Sequence, residues 1–236
     1  MANVLSLVIP VYNEGSNFPR LWASLSSHLA CEFIAYVVYD FDEDDTLPAI
    51  LKIVDNGEMR IRTLRNRYGY GVVGALRTGF DAIDTGPILV VMADLSDDLR
   101  QIPKMLDLYD QGFHVVVGSR YMKGGSIEDG PFLKQFLSRF SGVTLYWLRG
   151  IPTHDATNAF KIYDSAMLKT MRIESTQGFE INLEITVKAF LAGYKITEIP
   201  TVWRERTEGK SKFKLVSWIP LYIRWFVYAF QPKLRA

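Results

Sequence analysis

Acidic side chains gather at two places in this chain, and both follow apolar runs. The run Phe33–Tyr39 leads into Asp40, Asp42, Glu43, Asp44 and Asp45, and the run Ile88–Met92 leads into Asp94, Asp97 and Asp98. Carboxylates crowded at neighbouring chain turns repel one another unless a cation lies between them. A hard divalent ion with oxygen ligands, Mg²⁺ or Mn²⁺, is the usual partner, bridging carboxylates to a ligand's phosphates. Asp is equally favoured just ahead of a helix, where it caps free N–H groups, and Asp44, Asp45 and Asp98 fit that role as well as a ligand role. Asp94, at the end of the apolar stretch ILVVMA, reads more readily as a ligand.

The remaining chemistry-bearing residues exclude several classes. One cysteine, Cys31, leaves no disulfide framework and no cysteine-based zinc site. The histidines, His28, His114 and His154, lack metal-ligand spacing. The run Gly69–Gly74 spells G-x-G-x-x-G and has Asp94 beyond it, as a dinucleotide fingerprint does. Asn66-Arg67-Tyr68 separate it from the preceding strand pattern, however, so we read it as a glycine-rich helix start that lets backbone approach a ligand.

The elements that must position these groups alternate in the first half. Strand patterns at Leu5–Val11, Phe33–Tyr39, Met59–Leu64, Ile88–Met92 and His114–Gly118 are separated by helix patterns near 16–29, 46–55, 71–84 and 101–111. The strand runs are rich in Val and Ile without polar alternation, which predicts a mainly parallel sheet covered on both faces. Helical patterns near 133–149, 164–172 and 179–193 follow, with strand-like stretches at Ala159–Tyr163 and Lys195–Val202. The expected fold is α/β and Rossmann-like, with ligands at the strand C-termini.

Composition sharpens this picture. The chain has 236 residues and a net charge of +1, which offers no basic excess for nucleic acid. Residues 1–200 hold 24 acidic and 19 basic groups, whereas residues 201–236 hold 8 basic and 2 acidic ones. Phe213–Phe230 is aromatic and nearly uncharged, but short for a membrane span and interrupted by Pro220. A helix lying on a bilayer and a helix docked on the domain, or in an oligomer interface, both fit it. The N-terminus carries no secretory signal, so the expected location is cytoplasmic, peripheral on the cytoplasmic face of a membrane if the tail binds one.

The ordered set Ser6–Glu14 (SLVIPVYNE), the acidic turn at 40–45, Asn66-x-x-x-x-Gly71 and Ala93–Asp98 (ADLSDD) resembles the family 2 glycosyltransferases of GT-A fold. Gly118–Tyr121, Asp155–Phe160 (DATNAF), Gly178–Glu184 (GFEINLE) and Arg206-x-x-Gly-Lys-Ser-Lys212 are similar to its dolichyl-phosphate mannose synthase and polyprenyl-phosphate branch. The resemblance implies an inverting transfer of a sugar from a GDP- or UDP-sugar to a polyprenyl phosphate. A saccharide or other hydroxyl acceptor, or a non-catalytic nucleotide-sugar-binding module, is the alternative. By position it places Pro10, Tyr12, Glu14 and Gly71 in the nucleotide motifs, with Asp40 or Asp42 at base and ribose. Asp94, completed by Ser96 or Asp97, would hold the metal and diphosphate. Met92 stands where the family commonly has the first acid of Asp-x-Asp, which weakens the expectation of a metal. Arg120, Arg139, Arg206 and Lys212 match the acceptor-phosphate cations. Asp155 and Glu184 are the acids available as a base for a hydroxyl acceptor, and Asp155 could equally hold an arginine or cap a turn. The domain would cover 1–212, with an interfacial or docking helix at 213–236.

Overall fold

A computed structural model describes residues 4–129, 132–205 and 215–233. Its frame is a seven-stranded sheet ordered β3-β2-β1-β4-β7-β5-β8. The strands are β1 (Leu5–Pro10), β2 (Phe33–Tyr39), β3 (Ile61–Arg65), β4 (Pro87–Val90), β5 (Val115–Ser119), β7 (Lys161–Asp164) and β8 (Ile196–Pro200). Helices α1 (Phe18–His28), α2 (Thr46–Asp55) and α3 (Val72–Asp81) form the crossovers of the first half, and α4 (Ile102–Asp110) leads from β4 to β5. All pairings are parallel except those of β7, which runs antiparallel to both β4 and β5.

Burial on both faces explains the lack of polar alternation. All six residues of β1 are buried. Leu5, Leu7 and Ile9 face a core shared with α1 and α4, while Val8 faces the opposite core under α3 and α7 (Glu180–Leu191). Successive side chains of a strand point to opposite faces, so a single apolar strand seeds two cores. α7 is buried on nearly every side, and its polar residues Glu180, Asn182, Glu184 and Thr186 are buried with it.

From β1 the chain steps outward through β2 to β3, then returns to β4 on the other side of β1. This reversal opens a crevice beyond the C-termini of β1 and β4, where open α/β sheets bind ligands.

The second half departs from expectation in two places. The stretch read as one strand over Lys195–Val202 breaks at Thr201 into β8 and a short β9 (Val202–Arg204). β9 pairs with β6 (Ser126–Glu128) in a separate two-stranded sheet. Thr201 N donates to Ser119 O and Arg204 N to Ser96 O at 3.0 Å, so the break folds the chain back over the site loops. α5 (Phe132–Arg149), α6 (Ser165–Lys169) and α8 (Leu215–Tyr228) complete the fold. α8 packs on α7 and α5, with Trp225 and Ala229 buried. Arg149 closes its C-terminus, donating from Nε to Ala229 O at 2.6 Å and from Nη2 to Gln231 O at 2.7 Å. Among the described residues no helix is long and apolar enough to cross a membrane.

Candidate active site

The crevice holds a cavity of about 650 Å³ lined from both halves of the chain. Pro10, Tyr12, Glu14, Asp40, Gly71, Asp94, Ser96, Asp97 and Arg120 all reach it, so nine of the residues singled out in the sequence converge there. Asp42 does not. It sits exposed beyond the strand end, paired to Arg65 Nη1 at 3.0 Å, whereas Asp40 turns inward. Arg139 is exposed on α5 and absent from the lining. Arg206 and Lys212 lie outside the described residues.

Each wall is built by local hydrogen bonding. Asp44 accepts Asn13 N through both oxygens at 3.1 Å and Thr46 N at 2.9 Å, and Asp45 Oδ1 accepts Gly15 N at 2.8 Å. These two acids therefore tie the loop after β1 to the start of α2, and they are structural. Asp40 organises the next wall, accepting Asn66 Nδ2 at 2.8 Å and Gly71 N at 2.9 Å. Gly71 has φ of +103°, a conformation that excludes other residues without strain. The glycine run is thus a helix start whose backbone abuts the cavity.

After β4 the chain doubles back. Leu95 is held at φ +62°, in the left-handed region that costs a residue with a side chain, and the turn brings Asp97 into the same lining as Asp94. Asp97 Oδ2 accepts Met92 N at 3.1 Å, and Asp94 Oδ1 accepts Ser96 N at 3.2 Å. Burial, reinforced by the Asp94 charge, pushes the Asp97 carboxyl up to about 7. Two carboxylates in one lining, one of them reluctant to ionise, make a seat that favours a cation. Among the described residues no three acids, histidines or cysteines gather into a metal cage. The donor set therefore suits a hard ion held by one or two carboxylates and completed by substrate phosphates. Asp98 is apart from this, capping the turn at Leu99–Gln101 and pairing with Arg100 Nε at 2.7 Å.

Arg120 supplies the positive charge. It follows β5 and grips Asp155 in a fork, Nε to Oδ2 at 2.6 Å and Nη2 to Oδ1 at 2.8 Å, while its backbone N also donates to Oδ2. The side chains are 9% and 0% exposed. Burial opposes the guanidinium charge, but Asp155 outweighs it and holds the Arg120 pKa above its usual value. The Asp155 carboxylate is thus spent on Arg120 and on the Thr157 hydroxyl, and it is absent from the cavity lining. Glu184 is also turned away, accepting Glu174 N and Ser175 N and pairing with Lys188.

Behind this pair lie two further supports, Lys161 and Glu198. Lys161 Nζ, fully buried, donates to Ala156 O, Asn182 O and Thr186 Oγ1, tying the Asp155 loop to α7. Burial lowers its pKa to about 7. Glu198 accepts His154 N at 2.7 Å and contacts His154 Nδ1 at 2.5 Å, while Tyr146 of α5 stacks on the His154 ring.

The far wall changes character. Leu137 and Phe140 of α5 face Ile219, Tyr222, Ile223 and Phe226 of α8 across the cavity. Their apolar surface continues outward to exposed Phe136 and Val227.

Comparison with known proteins fits this geometry. The family model described as glycosyl transferase family 2 matches residues 6–172. The chain belongs to glycosyl transferase family 2. This glycosyltransferase is 27% identical over 230 residues to a polyprenol monophosphomannose synthase of Mycolicibacterium smegmatis, a match spanning 90% of this chain and 85% of that protein. It is 28% identical over 215 residues to a dolichol-phosphate mannosyltransferase of Pyrococcus furiosus, covering 89% of this chain and 59% of the relative. Its fold is shared with glucosyl-3-phosphoglycerate synthase from Mycobacterium tuberculosis, solved with Mn²⁺, UDP and glucosyl-3-phosphoglycerate, at a TM-score of 0.71 and 12% identity over 97% of this chain and 80% of that one. S. aureus TarS with UDP-GlcNAc superposes at 0.69 with 20% identity, over 98% and 68% of the two chains. The GT-A architecture expected from the sequence is the one observed.

Proposed function

We propose that this family 2 glycosyltransferase moves a hexose from a nucleoside-diphosphate sugar to a polyprenyl phosphate, inverting the anomeric carbon. The observation that carries the reading is one cavity with three chemistries in sequence. It has an acidic seat at Asp94 and Asp97, the buried cation Arg120, and an apolar wall from α5 and α8. A lipid phosphate needs those last two features side by side, and the named relatives act on polyprenol and dolichol phosphates.

The nucleoside rests against Tyr12, Asp40 and the Gly71 backbone, at the ends of β1 to β3. Asp94 and Asp97, with help from Ser96, would hold Mg²⁺ or Mn²⁺, which would supply charge neutralisation for the leaving diphosphate. Arg120 receives the acceptor phosphate, and Asp155 keeps its fork oriented. A phosphate monoester has its second pKa near 6, so the nucleophile is already largely a dianion and needs no base. That agrees with Asp155 and Glu184 both being committed elsewhere, and it counts against a hydroxyl acceptor that would rely on either of them. α5 and α8 guide the isoprenoid tail, and their outer residues Phe136, Ile223 and Val227 meet the bilayer surface as a peripheral contact.

The nucleotide half is tested by melting the protein with GDP-, UDP- and dTDP-sugars, with and without Mn²⁺. The true donor at about 100 times its Kd adds about 2.7 kcal/mol, a clear upward shift in Tm. No shift with any donor contradicts the reading. Flotation with anionic vesicles tests the surface contact, which Phe136→Ser with Val227→Ser is expected to weaken.

A further inference from the structure

Among the described residues, four buried side-chain atoms lack any hydrogen-bond partner: Ser141 Oγ, Ser175 Oγ, Thr201 Oγ1 and Glu205 Oε2. Two of them, on Ser141 and Glu205, belong to residues that line the cavity. Buried polar atoms are nearly always satisfied, and a carboxylate oxygen is the costliest to leave unmet. The Glu205 oxygen, on a residue that lines the cavity, therefore offers an acceptor to a ligand's donor.

Its position follows from the backbone. Glu205 comes directly after β9, where Arg204 N donates to Ser96 O at 3.0 Å and Glu205 N donates to Glu128 O at 3.1 Å. The acid is thus pinned beside the Asp94–Ser96 turn. Along the sheet, Asp40 and Gly71 stand at the ends of β2 and β3, Pro10 at β1, and Asp94 at β4. A donor laid along that line has its nucleoside at β1 to β3 and its diphosphate at the β4 turn. The next group in the molecule is the sugar, which would come to Trp203 and Glu205, both lining the cavity. An indole beside a carboxylate is suited to a hexose, which presents an apolar ring face and hydroxyl donors together. Glu205 does not join Asp94 and Asp97 in a metal cage, since no such three-acid group exists among the described residues.

We propose that Glu205, flanked by Trp203, is the residue that binds and selects the donor's hexose, its Oε2 accepting a hydrogen bond from a sugar hydroxyl. This rests on the nucleotide-sugar reading above. A hydroxyl held by a charged acceptor is worth about 10- to 150-fold in affinity.

The test is calorimetry with Mn²⁺ on wild type, Glu205→Gln and Glu205→Ala, comparing the nucleotide sugar with the bare nucleoside diphosphate. UDP with UDP-glucose and GDP with GDP-mannose are the pairs, and melting curves confirm the folded state of each variant. Glu205→Gln should weaken the sugar nucleotide by about 10-fold or more while leaving the diphosphate within about twofold. A donor lacking the contacted hydroxyl should bind both proteins alike. Equal loss for both ligands, or no loss for either, overturns the assignment. Intact sugar-nucleotide binding with abolished turnover overturns it in favour of a base role. Wild type that binds none of the four ligands refutes the nucleotide-sugar reading itself, and the proposal with it.

Discussion

Replacing Asp155 by Asn removes the charge that holds Arg120 while keeping the shape of the side chain. Both partners are nearly inaccessible, at 9% and 0% side-chain exposure, so water cannot compensate the stranded guanidinium. Breaking a buried pair by removing one partner costs about 3–5 kcal/mol. For a domain of this size each kcal/mol moves Tm by about 2–4 °C, so the expected fall is about 6–20 °C. Turnover should drop as well, because a misplacement of about 1 Å at a reacting group costs about 100-fold. The double variant Arg120→Met with Asp155→Leu separates the two effects. Replacing a buried ion pair by packed apolar groups is often neutral or stabilising, so much of the lost stability should return. Activity should not, since Arg120 is no longer there to receive the acceptor phosphate. Urea melts give the stability cycle, and a steady-state assay with varied acceptor gives KM and kcat. An Asp155→Asn protein as stable and active as wild type would refute the account of this pair. Normal stability with loss of only the acidic limb of the pH–rate profile would make Asp155 a base instead.

Other consequences are simpler to check. Gly142 of α5 lies so close to the Asp155 loop that an added Cβ would fall 2.1 Å from His154 O, so Gly142→Ala should cost about 1–3 kcal/mol in a urea melt and lower kcat through the displaced loop. Asp40→Ala strips the acceptor from Asn66 Nδ2 and Gly71 N, and should raise the donor KM and lower stability by about 1–3 kcal/mol. Lys161, buried with a pKa lowered to about 7 from 10.5, releases its proton in the folded state while the unfolded chain retains it. Stability should therefore rise with pH above 7, by about 2–3 kcal/mol at pH 9, and Lys161→Met should flatten that rise in pH-dependent melts.

The strands of the first half were legible because burial on both faces leaves a continuous Val and Ile run, and Asp94 was legible because it ends one. The destinations of the acids were harder to read. Asp40 and Asp42 are two residues apart in one turn, yet one enters the cavity and the other pairs with Arg65. Only the path of the chain after β2 decides between them. Asp97 reaches the site through a left-handed Leu95, a conformation that side-chain type does not announce. Asp155 and Arg120 are 35 residues apart, so their fork depends on sheet topology rather than on local pattern. β6 and β9, three residues each, are too short for periodicity to register, and with them Glu205 escaped notice. The apolar wall was half visible in the aromatic run of α8, but its partner face on α5 emerged only in three dimensions.

The central claim is transfer to a lipid phosphate. Purified protein should be incubated with Mn²⁺, a polyprenyl phosphate in detergent and a radiolabelled nucleotide sugar, GDP- and UDP-linked in turn. The account predicts label in the organic phase as a mild-acid-labile sugar phosphate of inverted anomeric configuration, abolished in Arg120→Met. Label transferred to a saccharide or other hydroxyl acceptor but not to the lipid phosphate would contradict it.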